Sequence, residues 1–164
     1  MNLRLFLNSL LFALLLSANF ASAQNNTWVT DKRNHQGFNA ISVETAGDVY
    51  IYLSNHFSVE VEGNPETIAK ITTEVSNKTL FVRNKQQYFT WNSKNNPLKI
   101  RIHLPLLEKL DLSGSGDVEV KGLIRNPRFD VNLSGSSDVR IEKIAVRDLQ
   151  TKLSGSGDIQ FGSG

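Results

Sequence analysis

Leu112-Ser-Gly-Ser-Gly-Asp-Val-Glu-Val120, Leu133-Ser-Gly-Ser-Ser-Asp-Val-Arg-Ile141 and Leu153-Ser-Gly-Ser-Gly-Asp-Ile-Gln-Phe161 are three copies of one phrase. Their aspartates, Asp117, Asp138 and Asp158, fall 21 and 20 residues apart. Alternating residues lead into each copy, as in Phe129, Val131 and Leu133. Alternation resumes after it, as in Val139 and Ile141. A period of two on both sides of a small-residue turn means two short, half-buried strands joined by a corner. Gly114, Gly116, Gly135, Gly155 and Gly157 are the structural turn residues, supplying positive φ or close backbone approach. Eight of the eleven glycines lie after residue 112, so the corner is periodic rather than incidental.

A repeat this short implies stacking. Ordering some 20 residues costs on the order of 20–40 kcal/mol. Five or six inward aliphatic side chains return only about 1.5–3 kcal/mol each. A unit that pairs its backbone with neighbours above and below closes that gap. The repeat therefore predicts an all-β fold, a right-handed parallel β-helix: a solenoid of about 20–21-residue coils. Leu112 stacks on Leu133 and Leu153, and Val118 on Val139 and Ile159. Val43 to Ile51, VETAGDVYI, reads as a fourth copy with its aspartate at Asp48. The 69 residues from Asp48 to Asp117 equal three units of 23, room for degenerate coils.

The N-terminal half is less regular. Phe38 to Val43, Val49 to Leu53, Phe57 to Val61, Val75 to Val82 around Asn77-Lys78, and Leu98 to Leu104 read as strands. Asn64-Pro65-Glu66 reads as the start of one short helix ending near Ile71: an N-cap, a proline at the first helical position and an acid in the first turn.

Residues 1–23 read as a signal peptide. Arg4 precedes an apolar run from Leu5 to Leu16, and Ala21-Ser22-Ala23 supplies the small residues of a cleavage site. The run is shorter than the ~20 residues a spanning helix needs. Residues 24–37 are expected to be a flexible N-terminal segment and 38–164 a single β-helix domain. That domain stops inside a repeat, as a truncated or unusually short one would. No later segment is apolar enough to be a transmembrane helix, so the mature chain is expected in the periplasm, at the cell surface or secreted.

The 164 residues carry 18 Lys+Arg against 16 Asp+Glu, too even a balance to recruit nucleic acid. With no cysteine there is no disulfide, no cysteine-ligated metal and no lipoprotein anchor. His35, His56 and His103 lack ligand spacing, and Gly114-Ser115-Gly116 has the wrong spacing for a nucleophile elbow.

Two polar features are candidate sites. The column of Asp117, Asp138 and Asp158, stacked at about 4.8 Å, would repel itself unless a cation such as calcium sat between the carboxylates. The alternative is that each aspartate accepts N–H bonds within its own corner. The spacing also departs from the nine-residue calcium-binding repeat. Tyr88, Phe89 and Trp91 lie in a polar connection, where flat rings could stack on sugar or protein or cover the end of the core. No catalytic residue is identified and no cofactor is required.

The [LV]-S-G-S-[GS]-D-[VI] corners, VETAGDVYI and FSVEVEGNPETIAKI together resemble the auto-transporter adhesin, head GIN domain family. These exported proteins are frequent in Bacteroidetes-type Gram-negative bacteria. The resemblance spans about Phe38 to the C-terminus. It implies a β-helix and an exported location, with no shared catalytic residues. The expected function is a non-catalytic exported envelope or surface protein, an adhesin-like binding or scaffold module for an extended glycan or envelope protein. The alternatives are a carbohydrate-active enzyme on a β-helix scaffold and a calcium-stabilised scaffold.

Overall fold

The structure, a computed structural model, describes residues 28–85 and 97–162. Its strands in chain order are β1 (Val29–Arg33), β2 (Ala40–Glu44), β3 (Asp48–Leu53), β4 (Ser58–Gly63), β5 (Ile71–Ser76), β6 (Thr79–Asn84) and β7 (Leu98–Leu104). They continue as β8 (Lys109–Leu112), β9 (Val118–Ile124), β10 (Arg128–Gly135), β11 (Val139–Ile144), β12 (Asp148–Gly155) and β13 (Ile159–Phe161). One short helix, α1 (Pro65–Ile68), lies between β4 and β5.

The strands form two mixed sheets on one shared core. A seven-stranded sheet has the order β1-β4-β7-β3-β9-β11-β13 and a six-stranded sheet the order β12-β10-β8-β2-β6-β5. The right-handed parallel β-helix expected from the repeat is therefore not the architecture. In a solenoid each coil lies on its predecessor in sequence. Here the pair β2–β3 lies between β6–β7 on one side and β8–β9 on the other. The residues between Asp48 and Asp117 do not supply intervening coils either, because β3 pairs directly with β9, Val49 opposite Val118. Among the described residues three pairings are antiparallel: β1 with β4, β4 with β7, and β5 with β6.

Within this frame the three C-terminal copies pair in parallel and in register. Leu112 lies opposite Leu133 and Leu133 opposite Leu153. Val118 lies opposite Val139 and Val139 opposite Ile159. Alternation then buries one face of each strand: Leu98, Ile100, Ile102 and Leu104 of β7 all join the core. β12 is the outermost strand of its sheet, and its inward Leu149 and Leu153 stay 43% and 52% exposed.

Local signals account for the turns. Asn77 and Lys78 both take positive φ, 48° and 60°, and close the β5–β6 hairpin as a two-residue turn of the primed kind. The Asn64 side chain caps α1 by accepting from the Thr67 N–H at 2.8 Å. The helix is shorter than its apolar spacing implied, because Ile71 opens β5 and is buried there.

The stretch expected to be flexible, 24–37, contains β1. This strand has no apolar alternation; its backbone pairs with β4 from Val29 opposite Gly63 to Arg33 opposite Val59. Sheet addition without a buried face leaves nothing in the local sequence to read.

Candidate functional site

The repeated corner carries the chain from the six-stranded to the seven-stranded sheet, and its polar groups bond along the stack. The Asp117 N–H donates to Asp48 Oδ1 at 3.3 Å, the Asp138 N–H to Asp117 Oδ1 at 3.2 Å, and the Asp158 N–H to Asp138 Oδ1 at 3.1 Å. In return the Val49, Val118 and Val139 N–H groups donate to the carbonyls of Asp117, Asp138 and Asp158, each at 2.8 Å. The carboxylates of Asp48, Asp117 and Asp138 thus tether the neighbouring repeat rather than closing their own turns. Arg140 reaches Asp117 at 3.9 Å and Asp138 at 3.7 Å, offsetting the repulsion between them. Among the described residues no three His, Asp or Glu side chains converge as a metal cluster.

The corner glycines sit where another backbone passes. A Cβ on Gly114 would overlap the Thr45 carbonyl oxygen, one on Gly135 the Gly114 carbonyl, and one on Gly155 the Gly135 carbonyl. A second column behaves alike: Gly116 meets the Gly47 carbonyl and Gly157 that of Ser137. Close approach is thus the common constraint at these five positions.

The outward face of the seven-stranded sheet holds a cluster that the sequence did not reveal. Tyr52 and His103 are in-register partners on β3 and β7, their rings stacked at 4.7 Å. His56, from the β3–β4 connection, stacks on the other side of His103 at 5.0 Å. Lys121 lies over Tyr52 at 5.9 Å. His103 Nδ1 is buried without a hydrogen-bond partner. Burial, and secondarily the neighbouring His56, holds the His103 pKa below its ordinary value, against a smaller opposing pull from Glu60. The only sequence signal was that His103 alternates with the core residues of β7; its partners come from long-range pairing. His35 is apart from this cluster and meets Thr73 Oγ1 at 2.9 Å.

A pH dependence follows. A depressed folded-state pKa favours neutral His103 in the native protein, so stability is fully present above the unfolded value of about 6.5 and is lost as pH falls below it. Urea unfolding from pH 8 to 5 is expected to give a plateau above about pH 7 and a decline below 6.5. His103→Phe, which keeps a stacking ring without the titration, should flatten that decline. An unchanged slope would remove His103 as its source.

The signal sequence at 1–23 and the aromatic trio Tyr88, Phe89 and Trp91 lie outside the described residues. The structure brings Asp117, Asp138 and Asp158 into one column with Asp48 and places the five glycines at the same corner.

Two mixed sheets, a shared aliphatic core and glycine corners knitted by aspartates define an all-β protein whose elaborated surfaces are its sheet faces and corner edge. The family described as "Putative auto-transporter adhesin, head GIN domain" matches residues 37–164, and the chain belongs to that family. Among solved structures, a putative adhesin from Bacteroides fragilis aligns with a TM-score of 0.60 at 18% identity, over 81% of this chain and 96% of that one. A putative lipid binding protein from Parabacteroides distasonis aligns at 0.60 and 19%, over 77% of this chain and 61% of its own. A putative adhesin from Parabacteroides merdae aligns at 0.60 and 16%, over 77% and 59%. The chain thus spans about three fifths of the length of the two Parabacteroides structures. At these identities the likeness concerns the fold. No curated protein matches the chain significantly.

Proposed function

We propose that the chain is a non-catalytic, adhesin-like binding or scaffold module of the cell envelope or surface, exported by the leader at residues 1–23. The observation that carries this reading is the pair of extended outer sheet faces, on which polar side chains recur in register from strand to strand. Family membership supports it, since neither the family nor these structural neighbours is described as an enzyme. No helix among the described residues is long and apolar enough to cross a membrane. Tyr88, Phe89 and Trp91 are a proposed accessory contact.

The test is a binding screen of the exported chain against glycans, envelope proteins and, given the name of one neighbour, lipid vesicles. Saturable binding in any arm, without turnover of the ligand, supports the reading. Silence in all arms, or hydrolysis of a glycan, overturns it.

The aspartate column is structural in this reading, because the Asp117 and Asp138 carboxylates already face backbone N–H groups and Arg140. Millimolar calcium is expected to leave the melting temperature unchanged in thermal scans. A rise of several degrees, reversed by chelator, would turn the column into a cation site.

A further inference from the structure

We infer that the outward face of the six-stranded sheet carries a glycan-binding groove, floored by Ser42 and running across the strands. The inference rests on the binding-module reading and gives it a place and a ligand class.

The groove is a shallow cavity of about 320 Å³. One column of its lining is fixed by register: Ser42 lies opposite Asp111, Asp111 opposite Asn132, and Asn132 opposite Lys152. A second column follows the repeat, with Ser134 opposite Ser154, and Ser113 next to Leu112, the partner of Leu133. Ser42 is the telling residue. It points away from the core yet is only 8% exposed, flanked in register by Phe81 and Asp111. Its hydroxyl makes no hydrogen bond to another of the described residues, and it lines the cavity. The fully enclosed unpartnered side-chain atoms among the described residues are Arg33 Nε and His103 Nδ1, so the Ser42 hydroxyl is open to the groove, where a ligand hydroxyl can replace water on it. Ser113, Ser134 and Ser154 likewise line the cavity with no side-chain hydrogen bond to another described residue, so the groove presents a row of hydroxyls.

The charges narrow the ligand class. Glu44 is held by Arg83 at 3.1 Å. Asp111 is held by Lys109 at 2.6 Å and by the Asn132 amide at 2.6 Å. With its carboxylates satisfied, the groove has little field to select an anionic polymer and offers hydroxyl, amide and one lysine ammonium instead. Those groups suit a neutral, hydroxyl-rich ligand. Their spacing suits an extended one, because the serine column Ser113, Ser134 and Ser154 presents the same group on successive strands every ~4.8 Å, about one sugar unit of a linear glycan. A protein partner would seek tyrosine and arginine anchors; Tyr50 and Tyr52 lie on the other sheet, and Arg83 beside the groove is paired with Glu44. The arrangement predicts weak binding, built from exposed hydrogen bonds on a shallow surface.

The test is an NMR titration of the 15N-labelled exported chain with cellohexaose, chitohexaose and maltohexaose separately. At least one should give saturable shifts centred on residues 42, 111–113, 132–134 and 152–154. Ser134→Trp, which plugs the middle of the groove from an exposed position, should weaken that binding by about tenfold or more with melting unchanged. Ser42→Ala, a smaller change that keeps the claim testable if the tryptophan variant misfolds, should weaken it a few-fold. No saturable shift with any of the three sugars overturns the inference. So do shifts centred on Tyr50, Tyr52 and Arg140, or full affinity in both variants. Envelope-protein binding in the screen with no sugar response here removes the groove and leaves the binding module standing; silence in both removes both.

Discussion

Val139→Asp is expected to abolish the cooperative folding of the C-terminal repeats. Val139 is fully buried and sits opposite Val118 on one side and Ile159 on the other, in the middle of the inward column. A carboxylate there has no counter-charge and displaces aliphatic contact on two strands. Substitutions of this kind cost about 4–5 kcal/mol or more. A domain of ordinary stability has only about 5–15 kcal/mol in total. Circular dichroism melting should show a lost or strongly lowered transition. Arg140→Ser, one residue along and facing solvent, should shift stability by no more than about 1 kcal/mol. If the two variants exchanged behaviour, β11 would be turned over, since a slip of one residue moves every side chain to the other face.

Gly135→Ala should be strongly damaging for a change of a single methyl group. The added Cβ would run into the Gly114 carbonyl oxygen, and the next repeat presses Gly155 against the carbonyl of Gly135 itself. Neither neighbour is a flexible side chain, so relief requires the paired backbones to move apart. The hydrogen bonds from Ser136 N–H to Gly114 O at 3.1 Å and from Ser156 N–H to Gly135 O at 3.0 Å would lengthen. Overpacking against a fixed neighbour costs about 1–3 kcal/mol, and this site belongs at the upper end. Denaturant unfolding should show the midpoint falling with little change in slope. Ser136→Ala, on an exposed corner position, should be neutral within about 0.5 kcal/mol. A Gly135→Ala protein as stable as its parent would mean that the corners lie further apart than described.

Much of the fold was legible, but only locally. Alternation identified β3, β4 and β7, and the Asn64 cap and the Asn77-Lys78 turn were readable because each depends on neighbours within a few residues. The repeat gave the register of β8 to β13, since identical phrases align most naturally like on like. What it could not give was the order of the strand pairs. A period of two says which face is buried and nothing about which strand lies alongside, so β2–β3 between β6–β7 and β8–β9 had no local signature. β1 was invisible for the opposite reason, having a partner but no buried face. At the candidate site the aspartates and glycines stood out by repetition. Their tethers to the next repeat, the Arg140 bridge, the Tyr52–His103–His56 stack and the sheltered Ser42 are products of pairing across tens of residues.

The unequal ends of the sheets bear on how such a protein changes length over evolutionary time. At the edge formed by β1, β4 and β5, antiparallel strands break the parallel rhythm, and an insertion there would have to rebuild several pairings at once. At the β12 and β13 edge every rung is a copy of the one before, and a duplicated phrase would find its register already specified. Gains and losses of repeats are therefore expected to accumulate at one edge only. The groove across the six-stranded sheet would grow or shrink by whole steps, and the reach of its ligand with it.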